Sequence, residues 1–184
     1  FHPEGDVFVH TRLMLELLDK DVDSLPLILS VLFHDIAKPA TQTFDEADNR
    51  IRFNSHDRIG AEMAASILRR LRYKNEIIDD TVTAIKHHMV FKDVQQMRTA
   101  KLKRMMARHT FADELELHRV DCLSSNGLVD NYEFMKAKAA EFAAEPLIPP
   151  PLVNGRDLIA LGWKPGPDLG AALERIQDWL VYTS

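Results

Sequence analysis

Residues 25–39, LPLILSVLFHDIAKP, constrain this chain more than any others. Leu27, Val31 and His34 share one stripe of a helix, so an apolar face runs directly into an imidazole and the adjoining carboxylate of Asp35. Pro39 is expected to end that helix and to bias Lys38 away from the αR region, which leaves the His-Asp pair in a last turn near the mouth of a pocket. A carboxylate at the end of an apolar stripe needs a cation or hydrogen-bond donors to offset its burial. Those partners have to come from elsewhere in the chain.

The 3.6-residue period recurs almost throughout. Val7, His10, Met14 and Leu17 mark a first helix over about 6–19, with Asp6 as its N-cap. Thr41 to Phe53 is a polar connection without a strong period, long enough for a functional loop with a short hairpin. A third helix, from His56 to about Tyr73, is expected to be capped by Asn54 or Ser55 and to turn Ile59, Met63 and Ile67 inward. A fourth, from Asn75 to about Met89, turns Ile78, Val82 and Ile85 inward. Two more follow over Gln96–His109 and Ala112–Ser125, the second stopped at Asn126-Gly127. Tyr132–Ala144 reads as helix and Pro146–Pro151 as a proline-rich break. The remaining tail reads as helix, turn, helix, with Gly162 as a stop and Asp168 as the next cap. Trp163 and Trp179 are expected as packing anchors in it. Strand signals are nearly absent. The expectation is an all-α fold: a helical domain over 1–145, with a helix-turn-helix tail over 146–184 packed on it.

A chain of 184 residues can bury a sizeable core without staples. Cys122 is the only cysteine, which rules out an internal disulfide and makes a reducing, cytoplasmic compartment the expectation. No apolar run approaches membrane-spanning length, so no membrane partner is expected. Residue 1 is Phe and the chain opens abruptly, so further sequence upstream is expected. The net charge of −5 argues against a bulk electrostatic grip on nucleic acid. An RNA contact would need a local patch, for which Lys101, Arg104 and Arg108, with Lys103 beside them, are the candidates; a solvated helix face is the plainer explanation of the same residues.

The histidines and acids on apolar stripes matter more. His10 lies among Val7, Met14 and Leu17. His34 and Asp35 end the second helix, and His56 opens the third. His88 falls on the inward side of the fourth, and His87 on its outer, solvated side. Asp121 lies between Val120 and Cys122. Each alone has an ordinary explanation: a core histidine bonded to a carbonyl, or a helix carboxylate paired with Arg119. Jointly, five helices present an imidazole or a carboxylate toward one interior. Neutral imidazoles with carboxylates suit a divalent transition ion, whether Mn, Fe, Co, Ni or Zn, and one or two such ions would fit this set. A bundle with ligands on facing helices gives a rigid site.

In the order His10, His34-Asp35, Asp121 the chain resembles the HD-domain superfamily of metal-dependent phosphohydrolases, whose pattern is H…HD…D. His56 and His88 match the additional histidines of members that hold a second metal. LFHDIAKP is similar to the family's HD-x-[GA]-K-P segment, which implies that Lys38 reaches a substrate phosphate. HPEGDVFVHT, FNSHDRIGAEMA and DLIALGWKPGPDLG are similar to the HD region of bacterial tRNA nucleotidyltransferase and poly(A) polymerase proteins. In those proteins an upstream head domain adds nucleotides with a Gly-Ser and a D-x-D motif on a sheet. Here there is no Gly-Ser motif, and Asp21-Val22-Asp23 falls in a helix-helix turn, so nucleotide addition is not expected of these residues. The resemblance implies hydrolysis of phosphomonoesters or 2′,3′-cyclic phosphates in a nucleotide or RNA. It implies catalytic roles for Asp35, Lys38 and His56. His10, His34, Asp35 and Asp121 would hold a first metal, and His56 and His88 a second that Asp35 bridges. Two other functions fit the same residues: a tRNA-binding or positioning domain with a structural metal, and a nucleotide-sensing module without turnover.

Overall fold

The computed structural model describes residues 6–19, 21–143 and 151–183. The described residues form ten helices, one 3-10 segment and a two-stranded hairpin, in the order α1 (Val7–Leu17), α2 (Leu25–Phe33), α3 (Lys38–Thr41), β1 (Gln42–Asp45), β2 (Arg50–Phe53), α4 (His56–Arg70), α5 (Asn75–His87), the 3-10 segment (His88–Gln96), α6 (Thr99–Met106), α7 (Phe111–Ser125), α8 (Asp130–Phe142), α9 (Gly155–Ala160) and α10 (Pro167–Thr183). The class is all-α. No helix among the described residues is long and apolar enough to cross a membrane.

Two compact units emerge. One comprises the described residues up to Gln95 together with His109–Met135; the other comprises Gln96–Arg108 together with the described residues from Lys136 onward. The expected boundary at 145/146 and most of the proline-rich break lie outside the described residues.

In the first unit α2 is the hub, touching α1, α4, α5 and α7. Its Leu27 and Val31 join Met14 of α1, Ala84 of α5 and Leu117 and Val120 of α7 in one cluster. Its Leu29 packs with Ala65 and Leu68 of α4 and Ile78 of α5. Burying each of these larger aliphatic side chains is worth about 1.5–3 kcal/mol over leaving it exposed. Asp6 caps α1 as expected, accepting from the Val9 N–H at 2.9 Å.

Several local expectations are corrected. Pro39 does not stop the chain's helical course: it sits in the first turn of α3, where its missing N–H needs no intrahelical acceptor. Lys38 is thus helical, and the His-Asp pair occupies the tight turn between α2 and α3. Neither Asn54 nor Ser55 caps α4 with its side chain; Ser55 adopts a left-handed backbone with φ of 63°. The buried face of α4 is its small-residue face, Gly60, Ala61, Ala64 and Ala65, while Ile59, Met63 and Ile67 are only partly covered. Small side chains are what let α4 approach the His-Asp turn: a Cβ on Gly60 would already touch the His34 carbonyl oxygen at 3.5 Å. The polar connection does form a hairpin, with Gln42 opposite Phe53 and Phe44 opposite Ile51.

In the second unit α10 contacts α6 and α9. A capping box between Asn154 and Asp157 opens α9, and Gly162, at φ of 95°, follows its end as expected. α10 begins at Pro167, a residue suited to a first helical position, so Asp168 lies inside the first turn rather than capping it. Trp163 and Trp179 are 44% and 63% exposed, too open to be the packing anchors expected of them.

Candidate metal centre

His10 is held mid-α1 with its ring fully buried, because the stripe it shares with Met14 faces α2 and α7. His34 is the first residue past α2, Asp35 follows in the turn, and Lys38 opens α3. His56 opens α4, and His88 opens the 3-10 segment directly after α5. Asp121 projects from α7. The long α5 helix expected to reach Met89 stops at His87, and this change of helix type fixes His88.

The structure brings all six candidate ligands together, as two groups whose donor atoms lie within 4.8 Å of one another: His10, His34 and Asp121, and Asp35, His56 and His88. Asp35 stands between them. Its Oδ2 is 3.1 Å from His34 Nε2 and 4.0 Å from His10 Nε2, while its Oδ1 is 3.5 Å from His56 Nε2. His10 Nε2 lies 3.2 Å from Asp121 Oδ1, and the Nε2 atoms of His56 and His88 are 3.1 Å apart. Lys38 Nζ approaches Asp35 Oδ2 to 2.6 Å.

Three of the rings share one orientation. His34, His56 and His88 place Nδ1 at 2.9, 2.7 and 2.6 Å from the carbonyl oxygens of Val31, Phe53 and Ile85. A carbonyl can only accept, so each Nδ1 carries the proton and the neutral ring keeps its Nε2 lone pair for the interior. Two Nε2 atoms at 3.1 Å, neither with a proton to give, are a poor hydrogen bond but a natural pair of donors to a shared cation. His34 Nε2 and Asp35 Oδ2 are likewise sealed from solvent and close, yet lack the alignment of a hydrogen bond. Such a donor set, imidazole nitrogen with carboxylate oxygen, fits a divalent transition ion.

The electrostatics agree. Burial opposes charge on Asp35, but His34 and Lys38 outweigh it and hold the carboxyl far below its usual range. Burial likewise disfavours the Asp121 carboxylate, but the adjacent His10 and the other nearby imidazoles bring its pKa to about 2. For His34, burial is outweighed by Asp35 and Asp121, and its pKa is raised: this position calls for positive charge. Burial, followed by the neighbouring His34, takes His88 down to about 4 and keeps it neutral. Burial pushes the Cys122 thiol up to about 11, so no thiolate competes as a ligand at neutral pH.

A cavity of about 390 Å³ opens beside this cluster. Asp35, Lys38, His56, His88 and Asp121 line it, together with Ile51, Arg52, Phe53, Asn54 and Met89. Sequence reasoning read 41–53 as a loop long enough for function but singled out no residue of it, although Phe53 and Asn54 stand just before His56 and Met89 just after His88. His87 is not a solvated residue: it is half-buried, with Nδ1 3.8 Å from the buried carboxylate of Glu114. Arg119 pairs with Glu116, which leaves Asp121 to His10. Of the proposed RNA contacts, Lys101 is exposed and Arg104 half-buried on α6. That helix ends at Met106, so Arg108 lies beyond it, and Lys103 is buried with Nζ 5.3 Å from the Phe142 ring centre.

Comparison with known proteins follows the same residues. Residues 7–122 match the model of the HD domain family. The chain is 31% identical over 153 residues to the CC-adding tRNA nucleotidyltransferase of Thermus thermophilus, covering 82% of this chain and 35% of that protein. It is 32% identical to the A-adding tRNA nucleotidyltransferase of Deinococcus radiodurans over 94% of this chain and 42% of that protein. It is 30% identical to the Multifunctional CCA protein of Methylobacillus flagellatus over 58% of this chain and 25% of that protein. The chain thus spans less than half the length of these relatives. No solved structure matches it.

Proposed function

Since the chain belongs to the HD-domain family, we propose that its buried cluster is a divalent-metal-dependent phosphohydrolase centre. Its substrates are phosphomonoesters or 2′,3′-cyclic phosphodiesters of nucleotides or RNA, and it serves a cytoplasmic, tRNA nucleotidyltransferase-like RNA-processing protein. The observation that carries this reading is the convergence of four imidazoles and two carboxylates beside a cavity that also holds a lysine ammonium.

In this reading His10, His34, Asp35 and Asp121 would hold a first ion, and His56 and His88, with Asp35, would hold a second. When bound, a Mn, Fe, Co, Ni or Zn ion supplies Lewis acidity toward a phosphoryl oxygen and lowers the pKa of water. Asp35 orients both halves of the site through its two oxygens. Lys38 binds the phosphoryl group and offsets the charge that develops on it, as preorganised cationic donors do. His56 keeps its Nε2 aimed at the cavity through the Phe53 carbonyl. Ile51, Phe53 and Met89 shield the reacting centre from bulk water and give a nucleoside an apolar surface.

The test uses purified protein stripped with EDTA and resupplied with Mn, Ni or Co, assayed on bis-p-nitrophenyl phosphate and 2′,3′-cyclic AMP. Metal-dependent turnover that vanishes in Asp35→Ala is expected; Asp35→Ala with full metal content and full rate would defeat the proposal. The names of the relatives favour a second reading, a tRNA-positioning domain with a structural metal and Lys101, Arg104 and Arg108 on the RNA backbone. Salt-dependent tRNA binding without hydrolysis would mark that case.

A further inference from the structure

Three of the four site imidazoles have Nδ1 held by a backbone carbonyl. His10 differs: its Nδ1 faces a side chain, Ser124 Oγ, at 3.2 Å. Ser124 is buried at 6% exposure, one turn along α7 from Asp121, and its hydroxyl also bonds the Asp121 carbonyl at 3.0 Å. A hydroxyl has one proton and two lone pairs. With the proton given to that carbonyl, which can only accept, a lone pair is left facing His10 Nδ1. On the ring's other side, Asp121 Oδ1 sits 3.2 Å from Nε2 and would draw the ring proton there in the absence of a cation. For His10 to act as a ligand the proton must reside on Nδ1 instead, and Ser124 is the acceptor placed to receive its hydrogen bond.

We infer that Ser124 is the positioning residue of the His10–His34–Asp121 group, fixing the His10 tautomer and tying that ring to the backbone of its fellow ligand Asp121. This inference rests on the metal-binding reading of the cluster. Ser125 supplies an internal control. Its hydroxyl donates to the same Asp121 carbonyl at 2.7 Å, with the Cys122 carbonyl at 3.4 Å as the alternative acceptor for that one proton. A merely structural effect on the end of α7 would appear in both serines, whereas a tautomer effect belongs to Ser124 alone.

The experiment titrates Mn into EDTA-stripped wild type, Ser124→Ala, Ser124→Thr and Ser125→Ala by calorimetry. It also records the imidazole nitrogen resonances of His10 in the Zn-loaded protein. Ser124→Ala should weaken binding at the His10 group by about ten- to a hundredfold, the usual worth of a partner that orients a ligand. Ser124→Thr, which keeps the hydroxyl, should restore it, and Ser125→Ala should stay near wild type. The wild-type spectrum tests the idea without any variant: Zn-bound His10 should carry its proton on Nδ1. Equal losses in Ser124→Ala and Ser125→Ala, no loss in Ser124→Ala, or a proton on Nε2 of His10 in the loaded wild type would each overturn the inference and leave the metal site standing. Wild type that binds no ion would overturn both.

Discussion

His10, His34 and Asp121 come from α1, the end of α2 and α7, the elements that share the Met14, Leu27, Val31, Leu117 and Val120 cluster. Asp35, His56 and His88 stand instead at the ends of elements, in the α2–α3 turn, at the start of α4 and at the start of the 3-10 segment. All three of the latter line the cavity, whereas the first group reaches it only through Asp121. The contrast separates two jobs within one cluster. His10 and Asp121, embedded in packed helices, would lose little freedom on binding an ion, so the first group is suited to holding one firmly. Ligands at element ends, beside Lys38 and the β1–β2 hairpin, are suited to meeting substrate.

The two groups can be pulled apart or merged by substitution. Asp35→Ala should have the largest effect, because its two oxygens face both groups. Loss of hydrolysis by more than about a thousandfold is expected, beyond the 10²–10³ typical of removing one charge-stabilising group. Metal analysis on the same sample should show reduced loading. Lys38→Met should lower kcat on the order of a hundredfold while metal content is kept, separating charge stabilisation from metal retention; a steady-state assay paired with elemental analysis checks this. His10→Ala and His88→Ala should each weaken one ion by at least tenfold and spare the other, the His10 variant depleting the tighter one. If both variants deplete the same ion equally, the division into two groups is wrong.

Acid should distinguish the groups more gently. Asp35 and Asp121 raise the pKa of His34 against its burial, so a proton competes with an ion there from a higher pH than at an ordinary histidine, and affinity should fall on acidification by up to about tenfold per unit for one competing proton. His88, at about 4, stays deprotonated across that interval and adds no such competition in its own group. Calorimetric titrations over a pH series would show two different slopes; identical slopes would mean that the ions share all their ligands.

Much of this was legible in residue order. The helical period placed His10, His34, His88 and Asp121 on inward stripes, and the juxtaposition of His34 with Asp35 singled out the pair at the centre of the cluster. What sequence reasoning missed depends on tertiary proximity. The period on α4 pointed to Ile59, Met63 and Ile67, because bulk is a stronger signal than smallness, yet close approach to the His-Asp turn required Gly60, Ala61 and Ala64 inside. Pro39 read as a terminator because a proline inside a helix and one in its first turn look alike until the start of the next helix is known. The cavity wall at Ile51 and Phe53 was invisible because a four-residue strand has too few positions to declare a face. Ser124 could have been found: it lies three residues beyond Asp121, where one helical turn brings a hydroxyl back toward the same neighbours.

The most direct test of the shared cation site is anomalous diffraction from crystals grown with Mn. Peaks enclosed by His10, His34, Asp35, His56, His88 and Asp121, with Asp35 adjoining every ion, are expected. A peak elsewhere with none inside that cage, or a cage left without anomalous signal at saturating Mn, would contradict the account.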